Sequence, residues 1–342
     1  MAGILHPIMC IHGFAGQPQD WWKDGFIGYL VEKGGFDPDL IHTFHYGYDD
    51  EGHYNNKGDI TKIAHRLTRY ETESPEELDS QLLRLSEKSQ AKGGPAQVDI
   101  VAHSMGGIIA RYYLKQHKVG LWDAGTPCPV GRLVELGSPN LGLDVLNLLR
   151  LVSERSFLVK LLRFLEKLPI LGGQPATQLR ELETALVQMQ NRARDEFFGT
   201  DVPGAWLVTA PPLRQLAADS QVMQELNAPG AMPAAVSYHC LYGDIRISLA
   251  VNWGRLTVYR HTTCLGDLVV PVESASIVPN VDSSGYPFPY HKDLTLWIGK
   301  PAEAVSVQAR GLADYLPPSY HSNLRKNPDV QAQALQVLTA RG

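Results

Sequence analysis

Val98-Asp-Ile-Val-Ala-His-Ser-Met-Gly-Gly107 is the stretch on which the reading of the fold turns. Val98–Ala102 reads as a short apolar strand and Met105–His117 as a helix, with His103 and Ser104 at the joint between them. Ala102 and Gly106 stand two residues before and two after Ser104. Small side chains at those positions let a strand and the helix that leaves it come close together. The serine is then held on a sharp turn with its hydroxyl exposed above a sheet. His103, adjacent on the same turn, is badly placed to direct its ring at that hydroxyl and reads as a packed or hydrogen-bonding residue.

Working outward, strands and helices alternate. Pro7–Ile11 reads as a strand running into His12-Gly13-Phe14-Ala15-Gly16, and Leu40–Tyr46 as a second strand. Ser74-Pro75-Glu76-Glu77 opens a helix with a capping box; Leu78, Leu82 and Leu85 give it an apolar face, and Gly93-Gly94 ends it. Gly131–Leu136 is a further strand. This spacing predicts an α/β fold: a mostly parallel sheet with helices on both faces. From Leu141 to Asn227 no strong strand pattern occurs, so residues 141–230 read as a helical cap inserted into one domain spanning 1–342. Strands resume at Val236–Tyr242 and Ala304–Ala309, and Pro328–Thr339 reads as a closing helix.

Composition excludes several classes. A chain of 342 residues buries about 75% of its extended surface and needs no disulfide or metal staple. Its 44% hydrophobic and 20% charged residues are those of a globular protein. With 31 Lys and Arg against 36 Asp and Glu the net charge is −5, which speaks against nucleic acid as a partner. Cys10, Cys128, Cys240 and Cys264 are widely separated and have no metal-ligand spacing; four thiols are expected. No apolar run reaches the length of a membrane span. The N-terminus lacks the pattern of a secretory signal, which implies a cytoplasmic protein, or a secreted one if the sequence has been trimmed.

Six segments carry a resemblance. The first is the Ser104 turn. His12-Gly13-Phe14 is similar to the H-G motif of lipases, and Val134-Glu-Leu-Gly-Ser-Pro-Asn-Leu-Gly142 to their L-G-[ST]-P-x-x-G stretch. Gly266-Asp-Leu-Val-Val-Pro-Val-Glu-Ser-Ala275, after a detour that looks like a β-hairpin, resembles a G-D-G-x-V-P-x-x-S segment, with Leu268 in place of the second glycine. Tyr320-His-Ser-Asn-Leu-Arg-Lys-Asn-Pro328 resembles an H-x-x-L…P segment, and Asp219–Asn227 an S-x-x-x-x-x-L-N segment. Together they resemble α/β-hydrolases of the lipase/esterase type, including lecithin–cholesterol acyltransferase-like and related bacterial lipases.

The resemblance implies Ser104 as nucleophile, Asp267 as acid, His321 as base, and the backbone amides of Phe14 and Met105 as an oxyanion hole. Asp244, read as ending a strand, competes for the acid's role. His291, read as lying in an aromatic and proline-rich loop, competes for the base's, and His239 reads as buried on a strand. The implied substrate is an acyl ester or lipid, with transient contact to a lipid interface and no metal or organic cofactor. An acyltransferase using the same triad, an amidase, and a non-catalytic binding protein are the other readings. Leu158–Leu168 places leucines at helical spacing and reads either as a packed cap helix or as a lid.

Overall fold

The computed structural model describes residues 5–48, 53–68, 81–123, 125, 127–143, 184–185, 188, 192, 195, 210–298 and 316–340. The expected helix start at Ser74, the strand Ala304–Ala309, the helix Leu158–Leu168 and most of the expected cap lie outside them. A seven-stranded sheet organises the rest. In chain order come β1 (Ile8–Ile11), α1 (Asp20–Lys23), α2 (Phe26–Gly34), β2 (Ile41–Thr43), α3 (Ile60–His65), α4 (Gln81–Ala91), β3 (Val98–His103), α5 (Met105–Lys118) and β4 (Val130–Leu136). There follow α6 (Pro211–Gln215), α7 (Gln221–Leu226), β5 (Ser237–Trp253), β6 (Leu256–Cys264), α8 (Val272–Ala275), β7 (Ser283–Ile298) and α9 (Pro328–Thr339).

The strand order is β2-β1-β3-β4-β5-β6, with β7 also paired to β5. All pairs are parallel except β5 with β6. Because helices cover both faces, the central strands are apolar on both sides rather than alternating with polar residues. Met9, Ile11, Val98, Ile100 and Ala102 enter the core under α3 and α5. Ile8, Cys10 and Val101, one residue out of phase, enter the core under α2 and α9.

Two expectations change. The strand expected to end at Tyr242 continues to Trp253, because β6 folds back on it as an antiparallel hairpin. The segment around His291, expected as a proline-rich loop, is strand β7: it runs parallel to β5 in register from Tyr238↔Ser283 to Trp253↔Ile298. Its prolines, Pro287 and Pro289, do not prevent pairing, since β7 bonds to β5 along one side and alternate residues need no ladder donor. Among the described residues, no helix is long and apolar enough to cross a membrane.

The end of β1 and the start of α5 meet backbone to backbone. A Cβ at Gly106 would lie 2.5 Å from the Ile11 carbonyl oxygen and 2.6 Å from that of His12. Neither oxygen can retreat without pulling β1 out of the sheet. Gly106→Ala should therefore destabilise the protein by about 3 kcal/mol or more, read as a shift of the urea midpoint at unchanged m-value. Gly28→Ala, within α2, whose Cβ would meet nothing within 4 Å, is the control and should raise stability by up to about 1 kcal/mol.

Candidate active site

Ser104 sits at the N-cap of α5 with φ 56° and ψ −126°, a conformation that a residue with a Cβ adopts at a cost of about 1–3 kcal/mol. Its amide donates to the Leu136 carbonyl (2.9 Å), which ties the turn to β4. The turn expected from sequence is there. Full exposure of the hydroxyl is not: Ser104 is 3% accessible. The reason is the loop after β1, since a Cβ at Gly13 would stand 2.7 Å from the Ser104 Cβ. Only a residue without a side chain lets that loop lie directly on the serine.

This places Phe14 on the loop against Ser104 and Met105 at the first turn of α5. The N–H groups of a helix's first turn have no acceptor within the helix. The loop is braced from behind. His12 stacks on Tyr46 at 3.8 Å between ring centroids; its Nδ1 lies 2.9 Å from the Gly13 carbonyl oxygen and its Nε2 2.7 Å from the Tyr54 hydroxyl. A carbonyl can only accept, so Nδ1 carries the proton and Nε2 accepts from Tyr54. With the Gly13 carbonyl drawn to His12, the N–H of the same trans peptide, that of Phe14, faces the opposite way. Burial lowers the His12 pKa from 6.5 to about 3, so the ring stays neutral and keeps this tautomer.

Asp267 and His321 form a fully buried couple: His321 Nδ1 stands 2.7 Å from Asp267 Oδ2. The other carboxylate oxygen, Oδ1, accepts from the amides of Val269 (3.0 Å) and Val270 (2.7 Å). That turn requires Leu268 at φ 73°, where the resembling segment has glycine, so leucine carries the left-handed strain itself. The His321 amide donates to the Asp267 carbonyl (3.0 Å), a second link between the same two residues. His103 Nε2 donates to the His321 carbonyl at 2.9 Å, joining the serine turn to the histidine segment. His103 is thus a hydrogen-bonding residue of the turn, as its position implies.

The rival residues are engaged elsewhere. Asp244 lies within β5 and grips Arg246, with Nε 2.9 Å from Oδ1 and Nη2 2.7 Å from Oδ2; that guanidinium lowers the carboxyl's pKa. His291 lies on β7, with Nε2 2.8 Å from Ser248 Oγ. His239 is half-buried on β5, less enclosed than expected.

Sequence reasoning gave no role to Gly137 or Arg111. Gly137, at φ 62°, passes directly under the couple: a Cβ there would lie 2.7 Å from Asp267 Oδ2 and 3.1 Å from His321 Nδ1. Its place in the L-G-S-P stretch was a usable signal. Arg111 is fully buried; Nη1 donates to Asn140 Oδ1 (2.9 Å) and Nη2 to the Leu226 carbonyl (3.1 Å) and Asn227 Oδ1 (2.8 Å). It ties the loop after β4 to α7, joining two segments that the sequence offers separately. Nothing in the α5 sequence marks it.

Gly13, Phe14, His103, Ser322 and Arg325 line a cleft of about 580 Å³ beside this group. Among the described residues, no cluster of three or more His, Cys, Asp or Glu side chains is arranged to hold a metal ion.

The family model described as alpha/beta hydrolase fold matches residues 6–156, which include Phe14, Ser104 and Met105. No curated protein matches the sequence. Among solved structures, the product of gene lin2722 from Listeria innocua is similar at 12% identity, over 99% of this chain and 95% of that one, with a TM-score of 0.40. Staphylococcus hyicus lipase is similar at 12% identity, over 97% and 96%, with a TM-score of 0.39. A thermostable carboxyl esterase from Bacillus coagulans is similar at 16% identity, over 91% and 92%, with a TM-score of 0.39.

Two outcomes follow from the geometry. Ser104→Gly removes the Cβ that makes φ 56° costly and should raise stability by about 1 kcal/mol, seen as a higher melting temperature than that of Ser104→Ala, which keeps the strain. The second concerns pH. His12 and His103 are buried and their pKa values are lowered chiefly by desolvation. Below their ordinary value of 6.5 the unfolded chain takes up protons that the folded chain refuses. Their contribution is thus complete above pH 6.5 and is lost as pH falls, by up to about 1.4 kcal/mol per pH unit for each ring. Stability measured from pH 6.5 down to about 4.5 should fall accordingly, and His103→Gln should flatten the slope by about one proton. These two tests need no substrate. The family match covers the Ser104 turn and the parallel strands around it, and the described sheet is wound on both faces: the chain has the α/β-hydrolase fold.

Proposed function

We propose that this protein is a serine carboxylic-ester hydrolase of the lipase/esterase type. The observation that carries the reading is the buried Asp267–His321 couple, joined through His103 to a strained Ser104 at the head of α5. In this mechanism neutral His321 accepts the Ser104 proton at Nε2 as Oγ attacks the ester carbonyl carbon. Asp267, fixed by two backbone amides, holds the proton on Nδ1 and stabilises the imidazolium. The N–H groups of Phe14 and Met105 receive the charge on the carbonyl oxygen. His321 then gives its proton to the departing alcohol, leaving an acyl-enzyme. Water, deprotonated by the same ring, releases the acid and restores the serine.

The elements behind this set support preorganisation. The His12–Tyr54 bond holds the Gly13–Phe14 peptide before substrate arrives, so little reorganisation remains for the transition state. Hydrolysis rather than acyl transfer is read directly from products formed with and without an added alcohol.

Turnover of p-nitrophenyl esters should fall by about 10⁴ or more in Ser104→Ala and His321→Ala, with loss of fluorophosphonate labelling in the serine variant. Asp267→Asn should lose about 10⁴, because the wrong imidazole tautomer is favoured. Asp244→Asn and His291→Ala should stay within about tenfold of the parent. Reversal within either pair would transfer the role to the rival residue, and full labelling of Ser104→Ala would end the nucleophile assignment.

A further inference from the structure

The strand pair β5–β6 ends in a turn, Gly254-Arg255, whose flanking side chains are exposed. Alternate residues of β5, Ile245, Ile247, Val251 and Trp253, are apolar. The first three are buried and belong to the main core. The fourth is not: Trp253 is 58% exposed, and Leu256, its direct cross-strand partner, is 65% exposed. Val258, the unpaired residue of the bulge between Val251 and Asn252, is 46% exposed. Residues opposite one another in an antiparallel pair share a face, so Trp253 and Leu256 form one apolar surface at the tip.

The charges carried by the hairpin itself are of one sign. From Ile245 to Cys264 the sequence holds Arg246, Arg255 and Arg260 and no Asp or Glu, on a chain whose net charge is −5. Arg246 is already paired with Asp244, at the root of the hairpin. Arg255 is in the turn and Arg260 four residues beyond Leu256, both exposed. Asp293, exposed on the neighbouring strand β7, is level with Ser248, five residues back from Trp253. A hairpin tip with an exposed tryptophan and leucine, and with arginines as its only charged residues beyond Arg246, matches the interface of an anionic lipid surface. The ring and alkyl groups enter the acyl boundary while the guanidinium groups stay at the headgroups. A second copy of the chain suits the tip less well, because a twofold pairing of these hairpins would bring arginines against arginines.

We propose that the β5–β6 tip is a lipid-surface anchor, with Trp253 and Leu256 as the inserting side chains and Arg255 and Arg260 as the contacts to anionic headgroups. It is remote in sequence from the Ser104 turn and binds without regard to turnover. The anchor does not depend on the esterase reading.

Co-sedimentation with phosphatidylcholine vesicles, with and without phosphatidylglycerol, tests it. The parent should bind the mixed vesicles more strongly than the neutral ones, and less strongly at high salt. Trp253→Ser with Leu256→Ser should weaken binding to both vesicles by about tenfold or more. Arg255→Glu with Arg260→Glu should weaken binding to mixed vesicles by about tenfold or more and leave the neutral vesicles little affected. Both variants should keep the parent's melting temperature, since all four side chains are exposed. Failure of the parent to bind mixed vesicles, or unchanged binding in both variants, would overturn the anchor. So would a parent dimer in light scattering that Trp253→Ser with Leu256→Ser converts to monomer, because the tip would then be a self-interface.

Discussion

The structure depends on how closely the end of β1 can approach the head of α5. At Gly106 the two backbones leave no room for a methyl group, and at Gly13 the returning loop rests on the serine itself. These two contacts fix how closely the loop that carries Phe14 lies against the head of α5. A sheet strand at this spot does more than fill the core. It presses a loop against a turn with no room for a methyl group between them, which close packing permits and a looser scaffold would not.

Strain is distributed along the same assembly. Ala15, Ser104 and Leu268 are all non-glycine residues at positive φ, each beside a member of the proposed machinery. Each is held by neighbours that have few alternatives: Ser104 by its hydrogen bond to Leu136, Leu268 by the bracket of amides on Asp267, Ala15 by the hydrogen bond its N–H donates to the Asn56 carbonyl. Such positions persist only when the surroundings overdetermine them. Two of the three link residues far apart in sequence, so the strain is maintained by the folded chain as a whole.

The parallel part of the fold was legible because its signals are local. A strand of four to seven residues bounded by glycines, or a proline-started helix such as α9, is decided within its own window, and α9 falls on Pro328–Thr339 in both readings. The ribbon was less legible. Strands β5 and β7 look short or loop-like alone, and reach seventeen and sixteen residues by pairing with each other and, for β5, with β6 as well. The same holds within the site. Ser104, Asp267 and His321 lie in segments with recognisable neighbours, whereas Arg111 and Tyr54 act through partners between 29 and 116 residues away that no window contains.

Asp267 shows why the long-range part matters most. A buried carboxylate without partners would be costly, and it would take up a proton rather than orient a base. Here its two oxygens divide the work: one receives two amides from its own turn, and the other is left for His321 alone. Gly137, on a loop from the middle of the sheet, closes the space beneath so that no side chain can intrude between them. Three segments separated by about 130 and 54 residues must therefore arrive together before the carboxylate is satisfied. Asp244, one strand away and paired with the arginine two residues along, needs none of this. The aspartate that folds most simply is the one tied to its own strand, and the one suited to hold a histidine is the one that the tertiary structure alone can complete.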